Sequence, residues 1–138
     1  MSSSCSRGQC GKAAASAAKD NPNATGLAVV AAAQSNPKAM GNAVAEAALA
    51  DPVATGKALA VSAAQDPEST GQALTSSTLR NAESTGGAMR SSAKDNAGAT
   101  VDALGRGPAQ DLSALQELGK FIPTVLWVPE REPEVGPD

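Results

Sequence analysis

A six-residue pattern returns every 15 residues along most of this 138-residue chain. Each copy begins with Asn or Asp, usually continues with Pro, and in all but the last carries Gly at its sixth position. The copies start at Asn21, Asn36, Asp51, Asp66, Asn81 and, in a worn form, Asn96. Six glycines share one phase of the repeat, at Gly11, Gly26, Gly41, Gly56, Gly71 and Gly86. A fixed period of this kind indicates stacked repeats, each of which buries its apolar face against neighbouring units.

The opening residues of each unit are those that start a helix. Asn or Asp at an N-cap accepts hydrogen bonds from free backbone N–H groups, and Pro is favoured next because its φ is already helical. Glu68 and Glu83 follow in the first turn, where the helix dipole favours anions. Each unit is therefore predicted to form one helix of about 11–13 residues, roughly 16–20 Å long at 1.5 Å per residue.

Small side chains recur on one face of each predicted helix. Counted from the Asn or Asp as position 1, positions 4, 8 and 12 are nearly always Ala or Ser, while position 9 carries Leu, Val or Met. Such a face lets helix axes approach to about 8 Å rather than about 10 Å. Gly at position 6 costs about 1 kcal/mol in a helix interior, so its recurrence suggests that another backbone passes over it.

Two other folds compete with separate short helices. One continuous helix is excluded between Pro22 and Pro67, because each interior Pro would break it, but stays open near Asn81 and Asn96, where Ala replaces Pro. A β-solenoid with 15-residue coils would use Asn-Pro and Thr-Gly as corners. The Ala-rich spans between those corners argue against it, since strands favour Val, Ile, Thr and aromatic residues.

We therefore predict an all-α, solenoid-like stack of about seven short Ala-rich helices with a 15-residue period. Connections of roughly two or three residues would make neighbouring helices antiparallel. The expected organisation is a flexible segment 1–8, helical repeats over 9–104, a linker and capping helix over 105–120, and an extended Pro/aromatic then acidic tail over 121–138. The in-phase glycines are the expected repeat-packing residues.

The C-terminal segment differs from the repeats. It holds every aromatic residue of the chain, Phe121 and Trp127, and its prolines Pro123 and Pro129 favour an extended conformation. One interpretation is a strand that folds back over the end of the stack. The other is an anchor for a partner, because Trp in a pocket is a frequent interface hot spot. The candidate partner-binding residues are Phe121, Ile122, Val125, Leu126, Trp127 and Val128.

Charge and composition exclude several kinds of partner. The formal charge is −3, and the acidic excess lies entirely beyond residue 129, so no basic stripe is available for nucleic acid. The longest apolar run, Leu27 to Ala33, is far shorter than the roughly 20 residues of a membrane span. The N-terminus has no apolar signal region, which favours a cytoplasmic protein. Cys5 and Cys10 are too few ligands for structural zinc, although Cys5 could be modified.

Catalytic and cofactor-binding patterns are missing. The chain has no His, its acids are scattered, and the recurring threonines have no neighbouring base to activate them. The glycines form no phosphate-binding loop. We therefore expect no enzyme activity, no cofactor and no metal.

The leading hypothesis is a structural or scaffolding protein that belongs to a larger assembly, such as a filament or a cytoskeletal or axonemal complex, with self-association as a further option. The alternatives are a stress-protective or ice-interacting Ala/Thr-rich protein, and a small solenoid adaptor that binds a peptide.

Overall fold

The computed structural model describes residues 7–122, with side-chain detail from residue 11 onward, and the segments 1–6 and 123–138 lie outside the described part. Over this range every regular element is a helix, which confirms the predicted all-α stack and rules out the β-solenoid there. The elements are α1 Arg7–Asp20, α2 Pro22–Ser35, α3 Pro37–Ala50, α4 Pro52–Gln65, α5 Pro67–Arg80, α6 Ala82–Asp95, α7 Ala97–Arg106, a 3-10 turn Pro108–Gln110 and α8 Leu112–Leu118.

A single residue separates each repeat helix from the next. Asn36 ends α2, where its N–H donates to the Ala32 carbonyl, and also begins α3, where its side chain accepts from the Ala39 N–H at 3.1 Å. Its φ of −152° and ψ of 85° place it outside the helical region, as expected for a residue before proline. The connections are thus shorter than the two or three residues expected, because one residue serves both caps.

The helix breaks persist where proline is missing. α5 ends at Arg80 and α6 begins at Ala82, with Asn81 at φ −158° and ψ 95° between them. The Asn81 side chain accepts from the Ser84 N–H at 3.0 Å, as the cap residues do at the proline-containing junctions. The continuous helix that the sequence left open near Asn81 and Asn96 is therefore not formed.

The helices pack in two layers, because each of α1 to α5 contacts the helix two units further on far more extensively than its immediate neighbour. α1, α3, α5 and α7 stack in one layer, and α2, α4 and α6 stack in the other. Position 9 of the repeat supplies the core between the layers, at Val29, Val44, Leu59, Leu74, Met89 and Leu104. Leu118 and Ile122 extend this core at its C-terminal end.

Candidate functional site

The in-phase glycines lie where two helices of one layer touch. A Cβ added to Gly26 would lie 2.5 Å from the carbonyl oxygen of Ala58 and 2.5 Å from the Cβ of Val61, both in α4. The next three glycines in phase face the carbonyl oxygens of Ala73, Ala88 and Ala103. A side chain cannot approach a backbone carbonyl so closely, so only hydrogen fits at these points. The close approach of the helix two units further along the chain therefore requires glycine at position 6.

The glycine series ends where the stack ends. Gly86 faces Phe121, which follows it by 35 residues just as Val61 follows Gly26, and an added Cβ would lie 2.7 Å from the Phe121 Cβ. α7 carries Val101 at the sixth position, and among residues 7–122 no repeat helix lies two units beyond it. A Cβ on Gly105, which is out of phase, would meet nothing within 4 Å. Glycine is thus needed only at positions that another unit covers.

Buried hydroxyl pairs join consecutive helices between the layers. A serine at position 12 meets a threonine at position 5 of the next unit, with 2.6 Å between the two oxygens. The pairs are Ser62–Thr70, Ser77–Thr85 and Ser92–Thr100. The Thr85 hydroxyl donates to the Asn81 carbonyl at 2.8 Å, so Ser77 must donate to Thr85. The eight-residue spacing of Ser and Thr is the sequence signal that could have revealed these pairs.

One buried threonine of this series lacks its serine. Thr55 is buried, and its hydroxyl has no hydrogen-bond partner among the described residues. The residue eight positions earlier is Ala47, which has no hydroxyl to offer. Both residues line a small cavity of about 20 Å³ between α1, α2, α3 and α4. A buried, unpaired hydroxyl is unfavourable because the desolvation of the group is not compensated.

Replacing Ala47 with serine is expected to stabilise the protein. The new hydroxyl would pair with Thr55 as Ser77 pairs with Thr85, and the adjoining cavity provides room for it. We expect the free energy of unfolding to rise by about 1 kcal/mol, measured by urea denaturation followed by circular dichroism.

The matched control is Thr85→Val, which leaves the Ser77 hydroxyl without its present partner. It should lower the free energy of unfolding by about 1–2 kcal/mol. If Ala47→Ser were neutral or destabilising, the Thr55 hydroxyl would not be the local defect described above.

Further polar contacts tie the helices together, both within a layer and between the two layers. Glu46 of α3 and Arg80 of α5 form an ion pair with a 2.9 Å separation, and both side chains are largely sheltered from solvent. Ser84 donates to the Ala45 carbonyl at 3.1 Å, and Ser91 donates to the Val53 carbonyl at 2.9 Å. These bonds give the close helix contacts a fixed register.

Two ionisable groups on the surface have shifted pKa values. The Gln34 amide donates to Asp66 at 2.9 Å, and this bond, followed by those from the Ser69 N–H and hydroxyl, lowers the pKa of Asp66. Asp66 thereby links its role as the N-cap of α5 to a contact with α2. The Asp102 carboxylate, 2.6 Å from Nε of Arg106, raises the pKa of Arg106.

The candidate partner-binding residues do not share one environment. Ile122 is buried in the core, and Phe121 is half-buried against Gly86, with its carbonyl accepting from Arg90. These two side chains are therefore part of the folded stack. The other candidates, Val125, Leu126, Trp127 and Val128, lie outside the described residues. Cys5 lies outside them as well, whereas Cys10 falls within α1.

The recurring threonines are packing residues rather than surface groups. Thr70, Thr85 and Thr100 are almost completely buried, and their hydroxyls are engaged in the serine pairs. Over residues 7–122 no group of three or more His, Cys, Asp or Glu side chains converges as metal ligands would. Within that same range, none of the helices combines the length and the apolar character needed to cross a membrane.

Comparison with known proteins gives no relative: no family model, no curated protein and no solved structure matches this chain.

Proposed function

We propose that this chain is a non-enzymatic scaffolding protein that keeps a fixed shape within a larger assembly. The observation that carries this proposal is the repeated contact between the position-6 glycines and backbone carbonyl groups of the helix two units on. Contacts between backbones leave little freedom for neighbouring units to slide, so the stack should behave as a short rigid rod or block. A cytoplasmic assembly of filament or cytoskeletal type is the setting we favour.

The stack itself offers few groups for recognising a small ligand or peptide. The hydroxyls of Thr70, Thr85 and Thr100 are directed into helix contacts. The apolar side chains at position 9 are in the core, whereas the exposed leucines, Leu27, Leu49, Leu79 and Leu112, lie outside that position. A concave peptide-binding face would need charged or aromatic residues in register. An ice-binding face would need exposed threonines, whereas Thr70, Thr85 and Thr100 are buried. These features favour the scaffold over both alternatives.

In this proposal, the segment that follows the core binds the partner. Ile122 is the last core residue within the described range, and we expect residues 123–128 to bind a partner without unfolding the stack. Trp127 is the expected anchor, because a buried aromatic side chain contributes most to a typical interface.

The test is an affinity purification of the assembly from cells that express the protein. Truncation after Ile122 should leave the helical content unchanged and abolish recovery of the assembly, and Trp127→Ala should reduce recovery strongly. The matched control is Leu112→Ala, which removes an exposed leucine of α8 and should not change recovery. Recovery of the same assembly with the truncated chain would overturn the proposed docking role.

A further inference from the structure

A surface groove runs between α4 and α6, lined by Pro52, Val53, Lys57, Gly87, Arg90, Ser91, Lys94 and Asp95. We call it the α4–α6 groove. It encloses about 310 Å³, and Val53 contributes an apolar side chain that is 57% exposed. Its polar wall holds three basic side chains and one acid, Asp95, which lies 3.8 Å from Lys57.

Gly87 departs from the repeat at this groove, whereas Lys57 occupies the same position in the equivalent groove lined by Asn23 and Val61. The corresponding residue at position 7 is Leu27, Asn42, Lys57 or Gln72 in the preceding units. A Cβ on Gly87 would lie 3.4 Å from the Cβ of Pro52, in ordinary contact and without a backbone clash. Packing therefore explains Gly86 but not Gly87. What the missing side chain provides at Gly87 is open space beside Pro52 and Val53.

The described chain ends at one wall of this groove. The Phe121 carbonyl accepts a hydrogen bond from Arg90, which lines the groove, and Ile122 is held in the core. The described part of the chain therefore ends beside the groove. Six extended residues span about 20 Å at 3.3 Å per residue, which is about the length of a 14-residue helix. Residues 123–128 can thus reach along the whole groove.

The chemistry of the segment complements that of the groove. Residues 125–128 are Val, Leu, Trp and Val, which suit the apolar surface at Pro52, Val53 and Gly87. Residues 130–138 contain four acids and one base. Their net negative charge is opposite in sign to the charges of Lys57, Arg90 and Lys94, which line the groove. Attraction between these opposite charges favours docking most at low ionic strength, where it is screened least.

We propose that residues 123–128 dock within their own chain into the α4–α6 groove. The acidic residues that follow then lie towards Lys94. A partner that binds Trp127 must first displace the segment from this groove. The inference concerns the isolated protein, so it stands or fails separately from the proposed scaffold role.

Trp127 gives a direct readout, because the chain has one Trp and no Tyr. In the folded protein its fluorescence emission should be shifted to the blue of the emission in urea. Gly87→Gln fills the groove with the side chain found at the same position of α5, and Val53→Arg places a charge in it. Both variants should shift the emission towards that of the unfolded chain while circular dichroism still reports a folded stack.

Two matched variants separate groove effects from general effects. Gly105→Gln adds the same side chain in open space, and Leu49→Arg changes a residue that is 56% exposed in α3; both should leave the emission unchanged. An unfolded-like emission in the wild-type protein, or an unshifted emission in Gly87→Gln, would overturn the proposal. A blue shift that disappears on dilution would also overturn it, because the groove would then hold the segment of a second copy.

Discussion

Gly41→Ala is expected to destabilise the protein strongly, although alanine is the better helix former. The added methyl group would collide with the carbonyl oxygen of Ala73, the Cβ of Ser76 and the backbone nitrogen of Ser77 in α5. Overpacking against backbone atoms costs about 3 kcal/mol, and the gain in helix propensity offsets only about 1 kcal/mol of it. A net loss of about 2 kcal/mol should appear as a lower urea midpoint by circular dichroism.

The matched control is Gly105→Ala in α7. It makes the same chemical change in a helix where the new methyl group meets nothing within 4 Å. The gain in helix propensity should then stand alone and raise the free energy of unfolding by about 0.5–1 kcal/mol. Equal effects of the two substitutions would contradict the close helix contact at Gly41.

Leu74→Ala is expected to have an equally large or larger effect, for the opposite reason. Leu74 is 1% exposed and lies in the middle of the core that position 9 builds between the two layers. Four other members of this core are alanines, whose side chains cannot move into the space left behind. Truncation of a buried leucine costs about 3–5 kcal/mol through lost burial and the cavity that remains. Urea denaturation of the full chain measures this loss.

Leu79→Ala in the same helix provides the comparison. Leu79 is 53% exposed, so the same truncation there should change the free energy of unfolding by less than about 0.5 kcal/mol. If Leu79→Ala proved as costly as Leu74→Ala, the assignment of position 9 as the core of the stack would be wrong.

The helices could be predicted from the sequence because short-range interactions define them. At Asn36 and Asp51, the cap and the following proline act within four residues of the junction, and both signals are visible in the printed chain. The length of the connection was harder to foresee, since nothing in the pattern says that one residue closes two helices. The breaks at Asn81 and Asn96 needed the structure too, because proline is missing there.

The candidate site was predictable in part. The phase of the glycines was evident, as was the unusual composition of the segment that begins at Phe121. The burial of Ile122 was not, because a hydrophobic residue before Pro123 suits a core and an interface equally well. The unpaired hydroxyl of Thr55 and the space beside Gly87 became visible only when residues from different units were brought together.

By itself, the sequence determined that the repeats form short helices, where the helices that start with proline begin, and which residues are small. Only the tertiary structure decided that a helix packs on the second helix after it and that the glycine of one unit meets a carbonyl group 32 residues later. The physical reason is the distance along the chain over which each interaction acts. Caps and prolines act locally, whereas the choice of packing partner depends on the angle of each one-residue junction and on the summed contacts of two layers.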